Sequence, residues 1–208
     1  MRYNKIDKEL FVANRKKLVK ELQANSVAVV NANDIMPTNA DGTMRFRQNS
    51  DLFYLTGVDQ EETILVLCPD FPDKKYHEVL FLRETNEHIA TWEGHKLTKE
   101  EARQATGIET VFWLSEFPTL FKTMMVMGDV EYVYLNTNDH YRASAGVETR
   151  EARFVKDCIQ QYPLHKYERL APILHRLRSV KSPVEITLLQ QACDITEKGF
   201  RRLLRFVK

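Results

Sequence analysis

The sequence predicts an α/β layered domain on three observations: short apolar, often β-branched runs recur along the chain, helix-periodic segments lie between them, and polar or Pro/Gly punctuation bounds them. Residues 6–24 place Ile6, Leu10, Leu18 and Leu22 at helical spacings among lysines and glutamates, which predicts an amphipathic opening helix. The run 27–30 then ends in Asn31-Ala32-Asn33-Asp34, the pattern of a buried strand that leaves into a loop reaching about Thr43. Further strands are predicted at 63–67, 78–82, 110–113 and 132–135, and helices at 98–105, 115–125 and 142–161. Thr98 with Glu101, and Ser115, supply helix caps, Gly107 closes the first of these helices, and Pro163 follows the last.

Ser182-Pro183-Val184-Glu185 is the most legible local signal. A hydroxyl stands at the cap, proline at the first helical position and a carboxylate at the third, so a helix starts there. Ile186, Leu189, Cys193, Thr196, Phe200, Leu203 and Val207 give it a long apolar stripe. The chain stops at Lys208 without a glycine or proline stop signal, so the end reads as a truncation. A stripe without its partner is expected to fold back on the body or to pair with a second copy.

The 208 residues suit one compact domain, 1–176, and an appendage, 177–208. A hydrophobic share of 43% with 28% charged residues is ordinary for a globular protein with a real core. The formal net charge of +1 gives no bulk field toward nucleic acid or anionic membrane, so neither is expected as a partner. No stretch approaches the ~18 apolar residues of a membrane span, and Met1-Arg2-Tyr3-Asn4-Lys5 leads into no apolar signal core, so a cytoplasmic location is expected. Cys68, Cys158 and Cys193 are odd in number and widely separated, which points to buried free thiols.

No self-contained catalytic site emerges. The chain has no Gly-x-Ser-x-Gly elbow, no glycine-rich phosphate loop and no His-Glu-x-x-His helix. Its six histidines are never paired at helical spacing, and His88, Glu93 and His95 are read as solvated surface groups; no metal is assigned to this chain. The densest mixture of charge and aromatics runs from Met44 to Gly57. There Asn49 or Ser50 can cap a short helix that buries Phe53 and Leu55 and ends at Gly57. Arg45 and Arg47 share a face if extended and could fix buried carboxylates or carbonyls.

The run Phe46-Arg47-Gln48-Asn49-Ser50-Asp51-Leu52-Phe53-Tyr54-Leu55-Thr56-Gly57 resembles the N-terminal domain of bacterial aminopeptidase P enzymes, in the creatinase and prolidase superfamily. Thr91-Trp92-Glu93-Gly94 with Leu97 resembles that family's tryptophan-x-glycine segment. Leu177 to Ile186 resembles the linker and opening helix of its catalytic domain. The resemblance implies a mixed β-sheet flanked by helices, with 177–208 leading into a pita-bread catalytic domain. That domain would bind two divalent ions, commonly manganese, through two aspartates, a histidine and two glutamates downstream of Lys208. The metal pair would generate a hydroxide that cleaves an N-terminal residue from a following proline.

By the same resemblance this chain holds no catalytic residue or cofactor. It would build a homo-oligomer and gate peptide substrates with proline in second position. Trp92 matches a tryptophan that walls the substrate pocket, where an indole can pack on a proline ring, and Asp41 matches a nearby loop aspartate. Trp92 could instead pack in its own loop, and Asp41, followed by Gly42, could be a turn residue. Prolidases, creatinase-like hydrolases and the peptidase-like binding modules of histone-chaperone relatives share the architecture. The Arg-Gln-Asn-Ser-Asp run favours aminopeptidase P over the first two, and the near-neutral charge without an acidic tail disfavours the last.

Overall fold

Backbone pairing follows the apolar runs. The strands are β1 (Ser26–Asn31), β2 (Ile64–Leu67), β3 (Glu78–Leu82), β4 (Thr110–Trp113), β5 (Tyr132–Leu135) and β6 (Lys166–Arg169). In a computed structural model describing residues 6–143 and 146–207, they form one mixed sheet in the order β4-β3-β2-β1-β5-β6. The central β1, β2 and β3 pair antiparallel, Ala28 opposite Leu67 and Ile64 opposite Phe81, while β4, β5 and β6 join in parallel. The helices are α1 (Lys8–Val19), α2 (Ser50–Thr56), α3 (Glu87–Glu93), α4 (Lys99–Thr106), α5 (Phe117–Met127), α6 (Arg150–Gln161), α7 (Ala171–Ser179) and α8 (Pro183–Phe206).

Helices cover both faces of the sheet, which is why β1 and β2 are buried at every position rather than at alternate ones. Val27, Val29, Val66, Phe81 and Val133 form one core with Phe121 and Met124 of α5 and Cys158 of α6. Strand alternation sends Ala28, Val30, Leu65 and Leu80 to the opposite face. There α2 packs on β1 and β2, and α1 on α2 and α4.

Helix α1 departs from expectation. Its buried stripe is Phe11, Asn14, Arg15 and Leu18, so of the four predicted residues only Leu18 is fully inside. The stripe turns because a cation has been drawn into the core. Arg15 is 0% exposed, and its guanidinium donates to Glu78 Oε2 at 2.9 Å, to Leu55 O at 2.8 Å and to Thr106 O at 3.0 Å. The two carbonyls end α2 and α4, where helix dipoles favour positive charge. Arg45 and Arg47, predicted to play such a part, are exposed, and neither side chain has a hydrogen-bond or ion-pair partner among the described residues.

Both of those helices end in Thr-Gly. Thr56 and Thr106 donate to the carbonyls of Leu52 and Ala102 and accept from the amides of Val58 and Ile108. Gly57 and Gly107 then take left-handed φ values of 70° and 71°. The Asn49 cap of α2, the Thr98 capping box and the Ser182 capping box form as the sequence predicts. Ser115 caps nothing: a single 3₁₀ turn, Leu114–Glu116, precedes α5, and Glu116 accepts the Trp113 amide instead. Phe53 is half-buried, while Leu52 and Leu55 are fully inside.

Three elements are absent from the sequence reading: α3, β6 and α7. Strand β6, Lys-Tyr-Glu-Arg, is a polar edge strand without an apolar run, a form that discourages edge-to-edge pairing. Helix α6 starts at Arg150 on its Thr149 cap rather than at Arg142. Cys68 and Cys158 are buried free thiols, pushed up by burial to about 12 and about 11; Cys193 is free but exposed, against expectation. The chain divides into a unit ending at Leu174 and another from His175 that carries α8. Within α8, Gln190–Asp194 and Glu197–Arg201 contacts at four-residue spacing line the polar side.

At Gly57 an added Cβ would stand 2.3 Å from the Phe11 ring, on top of the left-handed backbone. Gly57→Ala is expected to lower unfolding free energy by about 2–4 kcal/mol, combining left-handed strain with overpacking. Gly146→Ala, whose methyl meets nothing within 4 Å, should leave it unchanged. Equal urea midpoints for the two variants would contradict this.

Candidate functional site

The densest polar construction grows from the run at 46–57. Gln48 donates from Nε2 to Val58 O at 3.1 Å and to Gln60 O at 2.7 Å, and so fixes the turn between α2 and β2. Thr63 Oγ1 donates to Gln60 O from the other side at 3.0 Å. Between them Glu62 holds a left-handed φ of 54°, a conformation a side chain other than glycine keeps only where its surroundings enforce it.

That turn presents Gln60, Glu61 and Glu62 to the segment after β3. Gln60 Oε1 accepts the amide of Leu97 at 2.8 Å. Glu61, 7% exposed, pairs with Lys96 and lies 3.6 Å from Arg83. Burial alone would raise the Glu61 carboxyl, but Lys96, a backbone hydrogen bond and Arg83 outweigh it and hold the group below the ordinary glutamate range. Arg83 follows β3 directly. It reaches Glu62 at 3.3 Å and binds both carboxylate oxygens of Glu93, at 2.6 and 2.8 Å.

Glu93 ends α3, and the residue before it is Trp92, 78% exposed. The indole therefore does not pack within its own loop. Asp41 lies in a tight turn closed by Thr38 N–H to Gly42 O at 2.9 Å and Gly42 N–H to Asn39 O at 3.0 Å. Its side chain is exposed and has no hydrogen-bond or ion-pair partner among the described residues, and none joins it to the Trp92 segment. Of the groups read as solvated near Trp92, Glu93 is engaged by Arg83, and His95 Nε2 lies 3.1 Å from Glu101. No cluster of three or more metal-binding side chains occurs among the described residues. No helix among them is long and apolar enough to cross a membrane.

Asn49 and Asp51 of the run turn instead toward α6 and the end of β5. Asn49 caps α2, accepting the amides of Asp51 and Leu52, and donates from Nδ2 to Glu151 Oε1 at 2.8 Å. Asn136, 4% exposed, donates to Asp51 Oδ2 at 3.0 Å, while its own Oδ1 finds no donor among the described residues. Two helix N-termini, those of α2 and α6, thus bring Asp51 and Glu151 together behind two bridging amides. Burial, and then the charge of Asp51, push Glu151 up to about 7.

Residues 11–134 match the family model "Aminopeptidase P, N-terminal domain". The chain belongs to this family. Among curated relatives, Xaa-Pro aminopeptidase of Escherichia coli is 28% identical over 203 residues, covering 97% of this chain and 45% of the relative. Human Xaa-Pro aminopeptidase 3 is 26% identical, covering 87% of this chain and 36% of the relative. A solved chain from Bacillus anthracis superposes with a TM-score of 0.85 at 27% identity, over 94% of this chain and 46% of its own length. Escherichia coli aminopeptidase P gives 0.74 at 26% identity, over 93% and 43%. The chain spans less than half the length of these relatives, and the mixed six-stranded sheet flanked by helices is the family's N-terminal domain fold.

Arg83, Glu61, Glu62 and Lys96, which surround the Trp92 segment, carry no sequence signal. Each is one charged residue among many, and only the sheet brings residues 60–62 beside 83 and 96. For Glu151 the sign of the pH effect is fixed by its raised pKa. A folded-state value above the unfolded one gives stability that is complete below the unfolded pKa and is lost as pH rises through about 7. Wild-type stability is expected to fall by on the order of 2–3 kcal/mol between pH 5 and 8.5, and Glu151→Gln to flatten most of that slope. Urea midpoints across this range would show it, and parallel slopes for the two proteins would refute it.

Proposed function

We propose that this chain is the non-catalytic, substrate-gating and oligomerising domain of a metal-dependent Xaa-Pro aminopeptidase, which removes an N-terminal residue preceding proline. The observation that carries this reading is Trp92, an indole left 78% exposed on a short helix whose end is held by ion pairs. Large aromatic surfaces in water are costly unless a ligand or partner covers them, and a flat indole suits a proline ring and the apolar side chains next to it. Coverage of nearly the whole chain by Xaa-Pro aminopeptidases supports the same assignment. On this reading the divalent pair, manganese by resemblance, is held outside these residues. Asp41, exposed and without a partner among the described residues, is a second group offered to the peptide. The homo-oligomer and the cytoplasmic location belong to the same proposal.

In the full-length enzyme, Trp92→Ala is expected to raise KM for Xaa-Pro peptides about tenfold, roughly 1.4 kcal/mol of lost binding, with kcat nearly unchanged. The purified 208-residue chain should release no N-terminal residue from such peptides with or without manganese. An unaltered KM would remove the gating role, and metal-dependent release by the chain alone would overturn the non-catalytic assignment.

A further inference from the structure

Helix α3 carries the Trp92 indole, yet none of its seven residues is buried. Helices shorter than ~12–15 residues are marginal in water without tertiary packing. Asn86 caps the N-terminal end by accepting the amide of Ile89. The opposite end, where Trp92 stands, needs another anchor. Glu93 closes the helix with a carboxylate at the negative end of its dipole, an unfavourable place unless a cation attends it.

Arg83 is that cation. Its fork grips both oxygens of Glu93, and the same guanidinium reaches Glu62 at 3.3 Å and Glu61 at 3.6 Å. The far side of this staple is firm: Gln48 and Thr63 clamp the Gln60 carbonyl, and Glu62 is held at positive φ. Beyond α3 the chain is fastened to the same turn by Lys96 on Glu61 and by the Leu97 amide on Gln60. Trp92 thus sits on a short bridge pinned at both ends to one turn, and that turn is braced by Gln48 from the Arg-Gln-Asn-Ser-Asp run.

We propose that Arg83 is a positioning residue that aims Trp92 at the peptide by stapling the end of α3 to the Gln48-braced turn. The proposal rests on the gating reading of Trp92 for its consequence in catalysis, but not for the staple itself. Arg83 touches no substrate; it acts through the indole.

The chain has two tryptophans, so Trp113→Phe leaves Trp92 as the only indole reporter. In that background Arg83→Gln is expected to raise the amplitude of nanosecond segmental anisotropy decay about twofold with the circular dichroism spectrum unchanged. Glu93→Gln, at a side chain 40% exposed, should do the same and serves if Arg83→Gln fails to fold. Unchanged decay in the folded variants overturns the proposal. In the full-length enzyme Arg83→Gln should raise KM about fivefold at similar kcat, and add nothing in a Trp92→Ala background. Additive losses would also overturn it. A flat KM in Trp92→Ala alone would remove the gating reading and leave the anisotropy result to decide the staple.

Discussion

The buried guanidinium of Arg15 organises one whole face of the sheet. It is inserted from α1, and its three hydrogen bonds end on α2, α4 and β3, so one side chain ties together four elements separated by up to 91 residues of sequence. A charge this deep is tolerable only because each bond goes to a negative or carbonyl oxygen, and because two of the acceptors sit at helix C-termini. Take the cation away and Glu78 loses its partner while two carbonyls are left short, a loss of several kcal/mol rather than of a single contact. The Thr-Gly ends of α2 and α4 belong to the same construction. Their left-handed glycines lie against Phe11 and Val12 of α1, close enough that a Cβ at either would collide.

With α2 fixed, the polar run around it can serve two directions at once. Inward, Asn49 and Asp51 meet Glu151 and Asn136 at the N-terminus of α6, joining the two sides of the sheet through amides and carboxylates. Outward, Gln48 shapes the turn that carries Gln60, Glu61 and Glu62. The run that resembles the family hallmark therefore makes structural contacts in both directions. Its side chains set the position of a second segment, and that segment holds the exposed indole.

This division suits the role proposed above, in which the domain contributes shape rather than reaction. On the proposed gating role, the aromatic wall must stay in water until a peptide arrives, which forbids anchoring it by apolar burial. Ion pairs at the base of α3 meet that requirement, because they fix the backbone while leaving the indole face open. Such exposed pairs are individually weak, but a bidentate arginine shared among three carboxylates forms a network whose geometry is better defined than that of isolated pairs.

By itself the sequence determined the apolar strands, the capped starts at Asn49, Thr98 and Ser182 and the glycine stops at Gly57 and Gly107, since these follow from local periodicity and from hydrogen bonds within three or four residues. Trp92 and Asp41 were named from a resemblance of motifs, which local periodicity does not supply. What only the tertiary structure decided was the partner of each charge. Arg15 looks like a solvated residue of an amphipathic helix and is fully buried; Arg45 and Arg47 look like anchors and lie outside. Strand β6 exists only because β5 offers it a parallel edge, and the end of α3 is held by Arg83, which is itself tied to Glu61 and Glu62 across the sheet. Pairing across 20 to 100 residues depends on which strands lie side by side, and local pattern does not encode that order.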